Sequence, residues 1–120
     1  MFKMAVKDRC MISHSLRDPF FGPAAHMHGA TYEVEVIYFA QELDEHNIVF
    51  DIAKAQGILA EVMQRYNLKN LDEVEKLSGC VTTTEFMARF FHQEIADLLE
   101  GRFRGELEVI VHESQAAYAS

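Results

Sequence analysis

Two histidines placed two residues apart mark the stretch of the chain in which metal chemistry is most readily expected, AHMHGATYEVEVI, residues 25–37. The second half of this stretch alternates polar with apolar residues and is rich in β-branched side chains, which predicts a strand with one buried face. Residues two apart on a strand share a face, so His26 and His28 would project together. A third imidazole would complete a three-nitrogen metal site with one position open to a substrate. His14, in the apolar stretch CMISHSL, is the candidate for this third ligand.

Composition limits the class of protein. The chain has 120 residues, of which 49% are hydrophobic, so we expect a single domain, 1–120, with a substantial core. A net charge of −8 argues against a nucleic-acid partner and against an anionic membrane surface. The two cysteines form no CxxC pair and predict neither a disulfide framework nor a thiolate zinc site. Because no long apolar run and no signal peptide are present, we expect a soluble cytoplasmic protein with no membrane partner.

The strands that must position the histidines follow from alternation. Residues 2–16 predict a first strand with His14 near its end. Both prolines and a glycine lie in residues 17–25, which predicts a loop. A second strand is expected over residues 27–41, followed by a polar turn.

Two helices are expected between the second strand and the last. Asp51 can cap the first helix, whose apolar residues recur at helical spacing as far as Tyr66. Residues 67–81 predict a loop with a short helical turn. The second helix begins near Thr83, where Thr82, Thr83 or Thr84 can cap it and the run TTTE offers a capping box with Glu85.

A final strand over residues 106–112 completes the order β, β, α, α, β. Another short strand near the C-terminus is compatible with the pattern. Strands joined by short turns, with the helices grouped together, predict an α+β fold with an antiparallel sheet.

Five motifs follow one another along the chain: ISHSL, MHGATYEVEV, IVFDIAKAQ, TTTEFMARFF and VIVHES. In this order and spacing they resemble the 6-pyruvoyl-tetrahydropterin synthase and 6-carboxy-tetrahydropterin synthase family, over nearly the whole chain. The resemblance implies a sheet with two helices on one face, the tunnelling-fold type. It also implies that subunits join their sheets edge to edge into a trimeric barrel, and that two trimers form a homohexamer. Such closure would hide sheet edges that otherwise promote aggregation.

The resemblance also implies a zinc site. In the family, zinc is held by one histidine of the first strand and by both histidines of an HGHxY motif. His14 and His28 match two of these ligands, but Ala30 stands where the motif has its second histidine. We infer from strand geometry that His26, two positions upstream of His28, replaces the lost ligand. Other divalent metals also suit imidazole ligands.

A pterin-type ligand is the second implication of the resemblance. Glu113 matches the family glutamate that accepts from the ring N–H and the exocyclic amine of the pterin, a pairing that suits a carboxylate. Thr83, Thr84 and Glu85 match the TxE segment that lines the family pocket. The same three residues also have a purely structural interpretation, as the cap of the second helix.

The catalytic residues implied by the resemblance are not found. The family uses a cysteine base just before HGH, but the corresponding segment of this chain, FFGPAAHM, has no cysteine. The family also uses an Asp-His pair in an LDHxxLN loop, where this chain has Asn67 and Leu68. His26 or Cys80 could substitute as a base, but no choice follows from the residues. Three interpretations stay open: a metal-dependent lyase with altered catalytic residues, a paralogue with different chemistry, and a non-catalytic binding or assembly protein that keeps the oligomeric scaffold.

Overall fold

One five-stranded sheet and two α-helices make up the protein in a computed structural model that describes all 120 residues. The elements are, in chain order, β1 Phe2–His14, β2 His28–Ala40, α1 Ile52–Tyr66, β3 Lys69–Asn70, α2 Thr84–Leu99, β4 Glu106–Ser114 and β5 Ala117–Ala119. Short 3-10 turns span Pro19–Ala25, Leu71–Glu73 and Glu75–Leu77. The long strands and both helices lie within a few residues of the predicted bounds.

The sheet has the strand order β3-β1-β2-β4-β5. β1 and β2 pair antiparallel along their whole length, from Phe2 opposite Ala40 to His14 opposite His28. β4 pairs antiparallel with β2 and with β5, whereas β3 pairs parallel with β1. The sheet is therefore mixed, and the prediction of an antiparallel sheet was wrong for β3. A strand of two residues is too short to show alternation, so the sequence carries no signal for it.

Both helices cover one face of the sheet, as predicted. Side chains from alternate positions of β1, β2 and β4 point to this face and pack with α1 and α2 in a single apolar cluster. The strand residues of the cluster are Val6, Cys10, Ile12, Tyr32, Val34, Val36, Tyr38, Val109 and Val111. A register slip of one residue would carry this whole set to the other face, so the core fixes the alignment of the strands.

Side-chain caps set the start of each helix. The carboxylate of Asp51 accepts from the backbone N–H of Lys54 at 3.2 Å, which confirms the predicted cap of α1. The hydroxyl of Thr83 accepts from the N–H of Phe86 at 3.1 Å and caps α2. Because the cap is Thr83, exposed Glu85 is only two residues further on and does not form the predicted capping box.

Candidate functional site

The last residues of β1 and the first of β2 bring two imidazoles together. His14 and His28 are directly opposite in the antiparallel register, and their ring centroids lie 4.6 Å apart. Their planes are tilted by 63°. His14 is buried on the helix-covered face, whereas His28 is half-buried. The pairing of two strands therefore brings together two of the three histidines that the sequence suggested as metal ligands.

The Nδ1 atom of each of these imidazoles is already engaged. The ring of His28 donates from Nδ1 to the carbonyl oxygen of His26 at 2.8 Å, since a carbonyl can only accept. The Nδ1 of His14 lies 2.8 Å from the hydroxyl of Thr82. Outer partners of this kind orient imidazoles that bind a metal through the other nitrogen. Burial, and next the neighbouring His28, lower the pKa of His14, which favours the neutral ring that a metal requires.

His26 occupies a different place. It follows the 3-10 turn Pro19–Ala25 and precedes β2, so strand alternation no longer controls its direction, and its side chain is exposed. The structure thus brings His14 and His28 together and gives His26 a backbone role in orienting His28. Its side chain as a third metal ligand stays a prediction.

Only one set of three possible ligand residues has its ligand atoms within 4.8 Å of one another, and it lies elsewhere: Asp44, Glu45 and His46. All three are exposed. The carboxylate of Asp44 accepts from the backbone N–H of His46 at 2.8 Å and of Ile48 at 3.3 Å, which shapes the turn after β2. This confirms the predicted polar turn and gives the cluster a structural explanation.

Two polar atoms beside the histidine pair are buried without a hydrogen-bond partner: Nε2 of His14 and the hydroxyl of Tyr32. Tyr32 follows His28 on the same face of β2, with Ala30 between them. The ring centroids of His14 and Tyr32 lie 6.2 Å apart. Sequence reasoning missed Tyr32 and Thr82 as site residues, although the same-face spacing of Tyr32 from His28 was a usable signal.

Glu113 lies near the end of β4 with an exposed side chain. The hydroxyl of Thr84, at the first turn of α2, donates to Oε2 of Glu113 at 3.2 Å. An open cavity of about 410 Å³ extends from this carboxylate and has no hydrophobic residue in its wall: Thr31, Glu33, His112, Glu113, Ser114 and Gln115. Of the residues predicted to bind the ligand, the structure therefore joins Glu113 with Thr84, and Thr83 serves as the helix cap.

Neither the two loop positions where the resemblance would place proton-transfer groups, Asn67 and Leu68, nor the buried Cys10 supplies such a group in this chain. The side-chain oxygen of Asn67 accepts from the backbone N–H of Met11 at 2.9 Å. Leu68 is 76% exposed. Burial, and next the charge of Asp8, raise the pKa of the Cys10 thiol to about 12, so this cysteine is not a base near neutral pH.

Asp72 ties the loop after α1 to the end of β1. Its carboxylate accepts from the backbone N–H of Ser15 at 3.1 Å and from the Ser15 hydroxyl at 2.6 Å, and it pairs with Arg17 at 3.6 Å. Burial acts to raise the pKa of Asp72, but these donors outweigh it and hold the pKa below its ordinary value. Since Ser15 follows His14 directly, this contact anchors the end of the strand that carries the buried imidazole.

The fold and this site define a class: a small α+β protein with a helix-covered mixed sheet that carries a histidine pair at the end of two paired strands. The sequence model of the 6-pyruvoyl tetrahydropterin synthase family matches residues 3–120, and the chain belongs to that family. No curated protein matches the chain. Neither helix has the length and hydropathy needed to cross a membrane.

Solved structures agree with this assignment at the level of the fold. The 6-pyruvoyl tetrahydropterin synthase of Caenorhabditis elegans is similar at 21% identity and a TM-score of 0.86, with 98% of this chain and 91% of that chain covered. The Plasmodium falciparum enzyme gives 13% identity and a TM-score of 0.72, with 98% and 94% covered. A catalytic-residue mutant of the Plasmodium vivax enzyme is similar at 18% identity and a TM-score of 0.73, with 98% of this chain and 94% of that chain covered.

Proposed function

We propose that this protein binds a pterin-type ligand beside a metal ion held by His14 and His28. The observation that carries the proposal is the cross-strand histidine pair, whose Nδ1 atoms are both engaged by other groups. An imidazole fixed in this way presents Nε2 as its free donor. The unpartnered Nε2 of His14 supports the same interpretation, because a buried nitrogen without a partner is costly in free energy.

The donor set fits zinc, which accepts imidazole nitrogen and keeps an open position in catalytic sites. His14 and His28 would supply two ligands, and His26 is the proposed third. When bound, zinc would act as a Lewis acid on an oxygen of the ligand. The residues of the chain orient the rings, bury His14 and keep that ring neutral.

Glu113 is the proposed acceptor for the ring of the ligand. One of its oxygens accepts from Thr84, and the side chain opens onto the polar cavity. A carboxylate can receive the two parallel donors of an aminopyrimidinone edge, and such charge-assisted pairs are directional. The reaction that we propose is of the lyase type, with the proton-transfer group not assigned.

The proposed form of the protein is a cytoplasmic homohexamer built as a dimer of trimers. The outer edge of β1 supports it, because β3 pairs only with Ile12 and Ser13 and leaves the rest of this long strand edge without a partner. An open edge of this length is usually covered in a native assembly. Sedimentation at micromolar concentration tests the proposal, and a monomer would contradict the barrel.

Metal content per subunit, measured on protein purified without a tag or chelator, tests the metal site. We expect about one metal in the wild type, and little in His14→Ala and His28→Ala, because structural and catalytic sites rarely survive loss of a ligand. His46→Ala, in the exposed turn, is the matched control and should keep the metal. Loss in His26→Ala would assign the third ligand, whereas an empty wild type would overturn the metal part of the proposal.

Pterin binding, followed by the fluorescence of neopterin, tests the ligand. Glu113→Gln keeps the size of the side chain but offers one acceptor in place of two, so we expect affinity to fall roughly 10- to 100-fold. Glu33→Gln, in the wall of the same cavity, is the control and should change affinity little. Equal affinities in the wild type and Glu113→Gln would place the ring elsewhere.

A further inference from the structure

Buried tyrosine hydroxyls normally find a partner. In this chain Tyr66 follows the rule, since its hydroxyl donates to Glu94. Tyr32 breaks it: the residue is completely buried and its hydroxyl has no partner. The exception therefore needs a cause at its own place in the fold.

That place is the histidine pair. The only other buried side-chain polar atom without a partner in the whole protein is Nε2 of His14, and the two rings are neighbours, edge to face, with centroids 6.2 Å apart. Thr82 already holds the opposite nitrogen of His14. Unpartnered polar atoms on two neighbouring buried side chains are what remains when the groups bound there are absent from a set of protein atoms.

We infer that the hydroxyl of Tyr32 donates a hydrogen bond to an oxygen atom bound beside the histidine pair. The inference rests on the proposed function for the identity of the ligand. The oxygen belongs either to a water molecule or to a hydroxyl of the side chain of a bound pterin. Both present the same acceptor to Tyr32, and the experiment below separates them.

The surroundings of Tyr32 suit a donor. Burial raises the pKa of its phenol, and the charge of Glu113 raises it further, so the hydroxyl keeps its proton at neutral pH. Between Tyr32 and His28 on the same face stands only Ala30, the smallest side chain that a strand normally carries. Tyr32 is thus a positioning residue, which holds the oxygen of a ligand and does not itself exchange a proton.

The test compares Tyr32→Phe with Tyr38→Phe. Both residues are buried, lie on the same strand and face the same way, but the ring of Tyr38 packs against Phe50 and Phe103, away from the histidine pair. Each variant loses one oxygen and keeps its ring. Two quantities are measured: the thermal midpoint without ligand, and the ratio of the affinities for neopterin, which has a hydroxylated side chain, and for pterin, which has none.

If the oxygen is a ligand hydroxyl, Tyr32→Phe lowers the preference for neopterin over pterin about three- to tenfold, and Tyr38→Phe leaves it unchanged. If the oxygen is a water, the preference is kept and the midpoint of Tyr32→Phe falls by about 2–4 °C. An unchanged preference together with an equal or higher midpoint overturns the inference, because removal of a truly unpartnered hydroxyl is neutral or stabilising.

Failure of the proposed function has a different signature. If the wild type binds neither neopterin nor pterin, the pterin proposal falls, and the ligand hydroxyl is excluded as the source of the oxygen. The midpoint then decides alone: a decrease in Tyr32→Phe supports the water, and no decrease overturns the inference.

Discussion

Two buried polar clusters lie on the same side of the sheet and are satisfied to different degrees. Around Glu94, which is 5% exposed, one carboxylate oxygen accepts from the hydroxyl of Tyr66 and from Arg65 at 3.5 Å, and the other from Lys76 at 3.0 Å. Around His14, which is 2% exposed, one ring nitrogen has a partner and the other has none. A cluster whose polar atoms all have hydrogen-bond partners stabilises the fold, whereas a cluster with an unpartnered atom can bind a further group.

The central groups of the two clusters also differ in charge: Glu94 is ionised and His14 is neutral. Burial acts to raise the pKa of Glu94, but the hydroxyl of Tyr66 and the two cationic side chains outweigh it, so the pKa falls and the carboxylate stays ionised. For His14, burial comes first and lowers the pKa, so the ring stays neutral. The charge of Glu94 therefore stabilises the fold through its partners, whereas neutral His14 keeps the nitrogen lone pair that a metal would bind.

The largest effect on stability is expected from Glu94→Ala. The change leaves the buried hydroxyl of Tyr66 without its acceptor and opens a void between α1 and α2, which should cost on the order of 2–4 kcal/mol of the free energy of unfolding. Urea denaturation measures this cost. Glu61→Ala, which removes an exposed i,i+4 partner of Arg65, should cost no more than about 0.5 kcal/mol. Equal losses of unfolding free energy in the two variants would contradict the greater importance of the buried carboxylate.

Acid should weaken the Glu94 cluster next. Because the folded pKa of Glu94 lies below its ordinary value of 4.5, its contribution is present above about pH 4.5 and is lost as the pH falls through the folded pKa. The free energy of unfolding of the wild type should therefore fall more steeply below pH 4.5 than that of Glu94→Gln. Parallel profiles for the two proteins would show that the carboxylate is not stabilised by its partners.

Thr82→Val should have a smaller effect on stability than Glu94→Ala, about 1 kcal/mol, because one ring nitrogen of His14 loses its hydrogen bond while the packing is kept. Its effect on zinc affinity should be larger, a loss of roughly 10- to 100-fold, since the ring is no longer held. Thr82→Ser keeps the hydroxyl and should restore most of the affinity. Wild-type affinity in Thr82→Val would mean that the strand alone orients His14.

Local patterns predicted much of this architecture. Alternation indicated β1 and β2, and helical spacing indicated α1 and α2. The cap Asp51 was found, and Thr83 was one of three adjacent threonines that could cap α2, because a capping residue acts within its own first turn. The motif order also led to the right family. The parallel strand β3 escaped detection because two residues show no period.

The candidate site was predictable only in part. His14 and His28 were expected as two of three metal ligands, and the antiparallel register of their strands placed them opposite each other, whereas His26 lies before the strand. The link from His14 to Thr82 joins residues 68 positions apart, and the link from Tyr66 to Glu94 spans 28. No local pattern encodes such pairings, because they depend on how α2 and the loop before it settle on the sheet.

The amino-acid pattern alone thus settled which segments become long strands and helices, because alternation and helical spacing act between near neighbours. Only the packed chain decided which buried polar atoms are satisfied. Tyr32 and Tyr66 are the same residue type in the same core, yet one hydroxyl meets a carboxylate and the other meets none. The difference arises from side chains that approach across the fold, and it separates the part of this core that holds the protein together from the part proposed to bind.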